Sequence, residues 1–247
     1  MKRKDQVAAA FSAAASTYES AARAQDIAAA HLTAIVGGLN RPTTPEVLEI
    51  GCGTGLLTRR MRPVVTGRWL VTDLSAAMIE AARRTAPDAE FQVLDAENPD
   101  LGARRFDLIV SNLAAQWFAD LGATIAGLAA MLKPGGHLAF STLGLRSFQQ
   151  WRQVHQLLDV PCGVPVFPAA EAFAAVLPAG ARIEEQDFTL DYPHGRAFAA
   201  ELKLIGAGTP APGHRPLTVK DMRRVLERLG QPAPMTYHVL HAVITAE

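Results

Sequence analysis

From about residue 45 the apolar positions fall into short runs, EVLEI, WLVTD, FQVLD, FDLIV and HLAFST, separated by stretches in which they recur at helical spacing. That alternation predicts a parallel β-sheet wound with helices. Ser75 ahead of AAMIEAARR is placed to cap a helix, and Lys133-Pro134-Gly135-Gly136 predicts a turn that stops the helix carrying Ile125, Leu128 and Leu132. After Leu143 the rhythm changes. Residues 147–178 read as two helices around the Pro-rich VPCGVPVFP, and RIEEQDFTLDY returns as a strand. AFAAELKLIGAG and TVKDMRRVLERL read as helices around a surface loop at 208–213, and MTYHVLHAVITAE predicts a terminal strand, antiparallel to its neighbours. The seven runs together predict a mostly parallel, seven-stranded, Rossmann-like α/β sheet.

Four regions follow: an Ala-rich helical segment at 1–44, a core at 45–143, a helical cap at 144–180, and the rest of the sheet with two helices at 181–247. The pattern leaves two places open for the first segment, a lid over the mouth of the site or packing on the sheet edge. Asp5, Gln6, Ser12, Ser16 and Glu19 interrupt its apolar residues, so it is expected to be a folded amphipathic helix rather than a secretory leader.

Composition narrows the function classes. The 24 basic and 24 acidic residues cancel, so no overall field draws the chain to nucleic acid or an anionic membrane. No stretch approaches the roughly 20 apolar residues of a membrane span. Cys52 and Cys162 stand far apart with no CxxC or His-rich neighbourhood, which predicts neither a metal site nor a disulfide framework and fits a reduced, cytoplasmic setting.

Candidate chemistry collects where the strands end. Glu49-Ile50-Gly51-Cys52-Gly53-Thr54-Gly55 closes the first strand, and its glycines let the backbone turn sharply and approach a ligand while the next helix offers free N–H groups. The spacing is GxGxG rather than the GxGxxG of dinucleotide sites, which suits a ligand bearing a carboxylate and an ammonium but no phosphate. Asp73, at the tip of the second strand, can accept from both hydroxyls of a ribose. Asp95-Ala96-Glu97 after the third strand can read the edge of an adenine, and Asn112-Leu113-Ala114 after the fourth stands at the same sheet edge.

The E-x-G-x-G-x-G loop, the second-strand acid, the D-A-E step and the L-K-P-G-G turn, in this order, resemble the class I S-adenosylmethionine-dependent methyltransferases. Asn112-Leu113-Ala114-Ala115-Gln116-Trp117, Phe140-Ser141-Thr142-Leu143, Leu204-Ile205-Gly206-Ala207 and Met235-Thr236-Tyr237-His238 narrow the likeness to the malonyl-[acyl-carrier protein] O-methyltransferases of biotin synthesis. The similarity runs from AAAFSAAASTY to the terminal strand. It implies S-adenosylmethionine as methyl donor, S-adenosylhomocysteine as product, and Glu49, Gly51, Gly53, Gly55, Asp73, Leu74, Asp95, Ala96, Asn112 and Leu113 as cofactor contacts. It also implies, as methyl acceptor, the free carboxylate of a malonyl group carried on the phosphopantetheine of acyl-carrier protein.

Such a carboxylate is already ionised at neutral pH, so the step needs alignment and desolvation rather than a general base. A cation must hold the acid. Arg146, just past the fifth strand, is the first candidate and Lys203, which matches the family's L-K-x-I-G-A segment, the second. Tyr18, at the end of the N-terminal family segment, is placed to close over the sulfonium, with a core tyrosine as the alternative. Gln116 and Trp117 are expected to line the thioester channel, with a core position as the alternative for Trp117, and His238 is expected to make a structural hydrogen bond. Lys220, Arg224 and Arg228 recur at i, i+4, i+8 with Arg223 beside them and Arg215 just before, a basic stripe suited to an acidic carrier or to solvent alone. Two other functions fit the same core: methylation of another small acid, of the trans-aconitate type, or of a quinone-like carbon; and cofactor binding without catalysis.

Overall fold

The computed structural model describes residues 3–247. Its single sheet has the order β3-β2-β1-β4-β5-β7-β6. β1 (Glu46–Ile50), β2 (Arg68–Asp73), β3 (Glu90–Val93), β4 (Phe106–Ser111) and β5 (Leu132–Leu143) are mutually parallel. β6 (Arg182–Tyr192) forms the far edge, and β7 (Ala233–Thr245) runs antiparallel between β5 and β6. Chain order reverses between β1 and β4, so the ends of these strands splay around a crevice, the place where open α/β sheets bind ligands.

The period-2 pattern sorts the core. Val47 of β1, Val71 of β2 and Val110 of β4 face α3 (Arg23–Gly37) and α4 (Leu56–Met61), packing on Leu32, Val36, Leu57 and Met61. Leu48, Leu70 and Ile109 face the other way, with Ile125 and Leu128 of α6 (Leu121–Ala129). Burial on both faces explains why these strands read as continuous apolar runs. Ser75 caps α5 (Ala76–Ala82) as expected, its hydroxyl accepting from the Met78 N–H.

Two expectations change in detail. The Lys133–Gly136 segment is not a free turn: α6 has ended at Ala129, and the segment forms the irregular start of β5, where the register on β4 shifts between Phe106 and Leu108. Gly135 takes the positive φ this requires. The stretch at 144–180, read as one cap, serves two places. α7 (Gln149–Leu157) buries Trp151 and His155 at the C-terminal end of the sheet, whereas α8 (Ala170–Ala175) sends Phe173 into the face below, 5.7 Å from the Phe140 ring.

A third apolar cluster lies at the C-terminal end of the sheet. It joins Phe148 and Trp151 to Phe198 of α9 (Gly195–Leu204), Val225 of α10 (Val219–Arg228), and Met235, Tyr237 and Val239 of β7. Above it run α1 (Arg3–Ala14) and the short α2 (Tyr18–Ala21). α1 is fastened in its C-terminal half by the Ser12 hydroxyl, 2.8 Å from that of Ser75, and by the backbone of Ala10 and Phe11, which lies so close to Gly206 that no side chain fits there. No described helix is long and apolar enough to cross a membrane.

Candidate active site at the strand ends

Gly51 and Gly53 both take positive φ, 67° and 55°. A Cβ on Gly51 would stand 2.6 Å from that of Ala114, so the loop can meet the β4 turn only as glycine. At Gly53 a Cβ would stand against the Tyr18 ring at 3.6 Å, so the glycine keeps the space beneath that ring clear of a side chain. Asp73 fixes this geometry, one carboxylate oxygen accepting from the Gly53 N–H at 2.9 Å and the other from the Ser75 N–H at 2.8 Å. Burial pushes its carboxyl up, against the pull of those N–H groups.

Glu49, expected among the cofactor contacts, lies beneath the loop instead of in the cavity wall. It is 1 % exposed, accepts from the Thr58 hydroxyl at 2.6 Å, and leaves its second oxygen buried without a partner. Burial raises its carboxyl to about 7, with Thr58 opposing and Asp73 adding to the shift. The alternation along β1 explains the placement, since Glu49 shares a face with Val47 and points toward α4.

The adjoining cavity is walled by Gly51, Gly53, Asp73, Leu74, Asp95, Ala96, Asn112 and Leu113, eight of the ten expected cofactor contacts. Gly55 is absent from the wall; its left-handed conformation packs a would-be Cβ against Thr85 and starts α4. Leu113 is held at φ 48°, a costly conformation for a non-glycine residue, by the Ser141 hydroxyl, which accepts from its N–H and donates to the side-chain Oδ1 of Asn112. α1 closes the far side with Val7, Phe11 and Lys4, whose ammonium meets Asp95 at 2.7 Å and Glu97 at 2.5 Å. Burial works against the charge on Asp95, but Lys4 and the Glu97 N–H outweigh it and hold the carboxyl low. Nothing in the local pattern around Lys4 or Phe11 marked them; the fastening of α1 brings them here.

A second cavity, larger than the first, opens beside it over the third cluster. Phe11, Tyr18, Leu113 and Trp117 belong to both walls and form the neck between them. Phe11 meets Trp117 edge-on at 5.5 Å and Tyr18 at 6.5 Å, and burial raises the Tyr18 phenol further out of reach of ionisation. Gln116 and Lys203 line the larger cavity, and Lys203 is the only lysine or arginine among the described residues of its wall.

Arg146 does not reach either cavity. Its turn is bolted to β7: the Gly144 N–H and the Ser147 hydroxyl donate to the His238 carbonyl, and the Phe148 N–H donates to the Thr236 carbonyl. Arg146 is thereby turned to the sheet edge, where Asp187 at 2.6 Å and Glu185 at 2.8 Å hold it. His238 is buried and joins the same network through Glu185 at 2.8 Å, a structural hydrogen bond as expected. The basic side chains Arg215, Lys220, Arg223, Arg224 and Arg228 are all exposed, and only Arg224 has a recorded ion partner, Asp221. A groove at the opposite end of the sheet is lined by ion pairs such as Arg62–Asp88 and Arg104–Glu90 and holds no comparable constellation.

The cavity over the glycine loop fits S-adenosylmethionine: an acid at the ribose position, a polar edge at Asp95–Glu97, side-chain-free backbone at Gly53 and an aromatic neck for a sulfonium.

Comparison with known proteins agrees. Residues 47–136 match the family model of a methyltransferase domain. The YcgJ protein of Bacillus subtilis superposes with a TM-score of 0.62 at 16% identity, over 88% of this chain and 98% of that one, which supports the Rossmann-like methyltransferase fold. The chain is 40% identical, over 94% of its length, to the biotin biosynthesis bifunctional protein BioCD of Bordetella avium, of which it spans 50%. It is 39% identical to the malonyl-[acyl-carrier protein] O-methyltransferase of Magnetococcus marinus over 83% of this chain and 79% of that one. With a methyltransferase fold, two joined cavities at the strand ends and this likeness across both, the chain belongs to the malonyl-[acyl-carrier protein] O-methyltransferase family.

Proposed function

We propose that the chain transfers the methyl group of S-adenosylmethionine to the free carboxylate of a malonyl thioester on acyl-carrier protein, leaving S-adenosylhomocysteine. The observation that carries this reading is the neck. Phe11, Tyr18, Leu113 and Trp117 include no carboxylate, imidazole or amine, so nothing there is placed to take a proton. A carboxylate needs none taken, because it is ionised at neutral pH.

S-adenosylmethionine supplies an electrophilic methyl on a positively charged sulfur. The chain's own residues bind, orient and dry the reactants. Asp73 accepts from ribose hydroxyls with the lone pairs that Gly53 and Ser75 leave free, and the Asp95–Glu97 step faces the adenine. The aromatic faces of the neck favour a cation and exclude water, which raises the reactivity of the acceptor anion. Lys203, exposed and without a recorded ion partner, is the cation placed to catch the substrate acid at the cavity wall. Its flexible stem gives a point charge rather than a fork, so alignment falls to the walls. α10 contributes Leu217's neighbour Met222 to the same cavity, which puts its basic outer face beside the mouth, where an acidic carrier would dock.

The test is transfer of labelled methyl to malonyl-acyl-carrier protein, with malonyl-coenzyme A, acetyl-carrier protein and trans-aconitate in parallel. Preferential ester formation on the malonyl carrier is expected. Preference for trans-aconitate would make this a small-acid enzyme. Cofactor binding with no transfer to any of them would overturn the catalytic reading.

A further inference from the structure

The larger cavity offers hydrogen-bond acceptors that have no donors. The Gln116 amide donates to the Leu113 carbonyl at 2.5 Å, which fixes its orientation and leaves its oxygen buried and unpartnered. The Gln25 side-chain oxygen is likewise buried without a partner. Tyr237 makes a third, by an argument from proton order. Glu201 can only accept; one of its oxygens takes the Tyr192 hydroxyl at 2.5 Å and the other the Arg23 guanidinium at 2.9 Å. With its proton directed to Glu201, the Tyr192 oxygen accepts from the Tyr237 hydroxyl, 2.8 Å away. Arg23 lies over the Tyr192 ring at 4.6 Å and locks the chain from the other side. Tyr237 thus sends its proton into the protein and turns lone pairs toward the cavity it lines.

Buried acceptors left unmatched are costly, and a carboxylate, a thioester carbonyl or a methyl ester brings no N–H to them. The arm that would carry a malonyl group does: pantetheine contains two secondary amides along a mostly apolar chain. All three acceptors line the larger cavity, and none lines the cofactor cavity, so they stand on the acceptor's side of the neck.

We propose that Gln25, Gln116 and Tyr237 form an acceptor track that reads the amide N–H groups of the pantetheine arm, so that the arm, and not the acid alone, selects the substrate. This rests on the reading of the larger cavity as the thioester site. The track rejects a free dicarboxylic acid twice over, by leaving its acceptors unmatched and by facing the anion with lone pairs.

Calorimetric titration with pantetheine, which lacks the malonyl group, tests the track without requiring turnover. Tyr237→Phe and Gln25→Leu should each weaken pantetheine about five- to tenfold, the loss of one hydrogen bond to a buried group, while S-adenosylhomocysteine affinity stays unchanged. Absence of pantetheine binding to the unaltered protein, unchanged affinity in both variants, or equal loss for pantetheine and S-adenosylhomocysteine would overturn it. Methyl transfer separates the two claims. If the unaltered protein methylates no malonyl thioester yet both variants lose pantetheine, the substrate reading falls and the track stands. If malonyl-pantetheine is methylated and the variants lose nothing relative to malonyl ethyl thioester, which has no amide, the track falls and the substrate reading stands.

Discussion

The cofactor cavity and the thioester cavity share a neck but are built on different plans. The first is built at the ends of four consecutive parallel strands, within residues 50–118 apart from the contributions of α1 and of Tyr18 at the start of α2. The second draws Gln25 from α3, Trp151 and His155 from α7, Lys203 from α9, Met222 from α10 and Tyr237 from β7. One site is a property of local turns at a sheet edge, and the other of tertiary packing across most of the chain. Substitutions should therefore hurt cofactor binding sharply and narrowly, and substrate binding in smaller, distributed steps.

The sharpest break is expected at Asp73. Its carboxylate both faces the ribose position and holds Gly53 and Ser75, so Asp73→Ala removes a ligand contact and the brace of the loop together. Loss of S-adenosylhomocysteine affinity on the order of 100-fold is expected by calorimetry, since hydrogen bonds to charged groups contribute roughly 1.5–3 kcal/mol. Unchanged affinity would remove the ribose assignment.

Below the loop, Glu49 should show itself in stability against pH. Burial raises its carboxyl in the folded chain from the ordinary glutamate value of about 4.5 to about 7, so the fold favours its protonated form. The stability this lends is full below about 4.5 and is lost as pH climbs through 7. Glu49→Gln should leave stability similar at pH 5 and raise it relative to the parent at pH 8, by an amount on the order of 2 kcal/mol. Denaturant melts at the two pH values measure this; a parallel shift at both would mean that packing rather than charge is at stake.

These two acids show what the chain alone made legible. Asp73 could be located because it ends a strand whose alternation is plain, next to a glycine loop with its own spacing. Glu49 stood in the same motif, yet its face was decided by the pleat, which turns it under the loop while Gly51 passes over. The cations diverged for a different reason. The distance of Arg146 from β5 was readable, but its direction depends on hydrogen bonds to residues 236 and 238, some ninety positions further on. Lys4 and Phe11 carried no local signal because α1 reaches the cavities through its contacts with Ser75 and the Gly206 turn, and Gln25 carried none because α3 is placed by its packing on α4, β5 and β7.

The same contrast ranks the cations. Lys203→Ala should raise the KM for the malonyl carrier about tenfold with little change in cofactor affinity, in line with one charge-assisted contact at a cavity wall. Arg146→Ala should move neither constant by more than about twofold, because its partners are exposed carboxylates at the sheet edge, where an ion pair contributes little. The reverse ranking, read from steady-state kinetics, would return the anchor to Arg146 and require its turn to rearrange.

The smallest effect belongs to the outer face of α10. Val225 is buried and Met222 lines the cavity, which leaves Lys220, Arg224 and Arg228 on the exposed side of the same helix. An acidic carrier steered to that face would gain mainly in association rate, an effect that salt screens within about 8–10 Å. Arg224→Glu combined with Arg228→Glu should therefore raise the KM for malonyl-acyl-carrier protein about fivefold at low ionic strength and far less at high, while leaving malonyl-pantetheine untouched. Equal loss on both substrates would show that the charges act through the cavity wall, and no loss on either would make the stripe a solvated helix face and move the carrier to another side of the mouth.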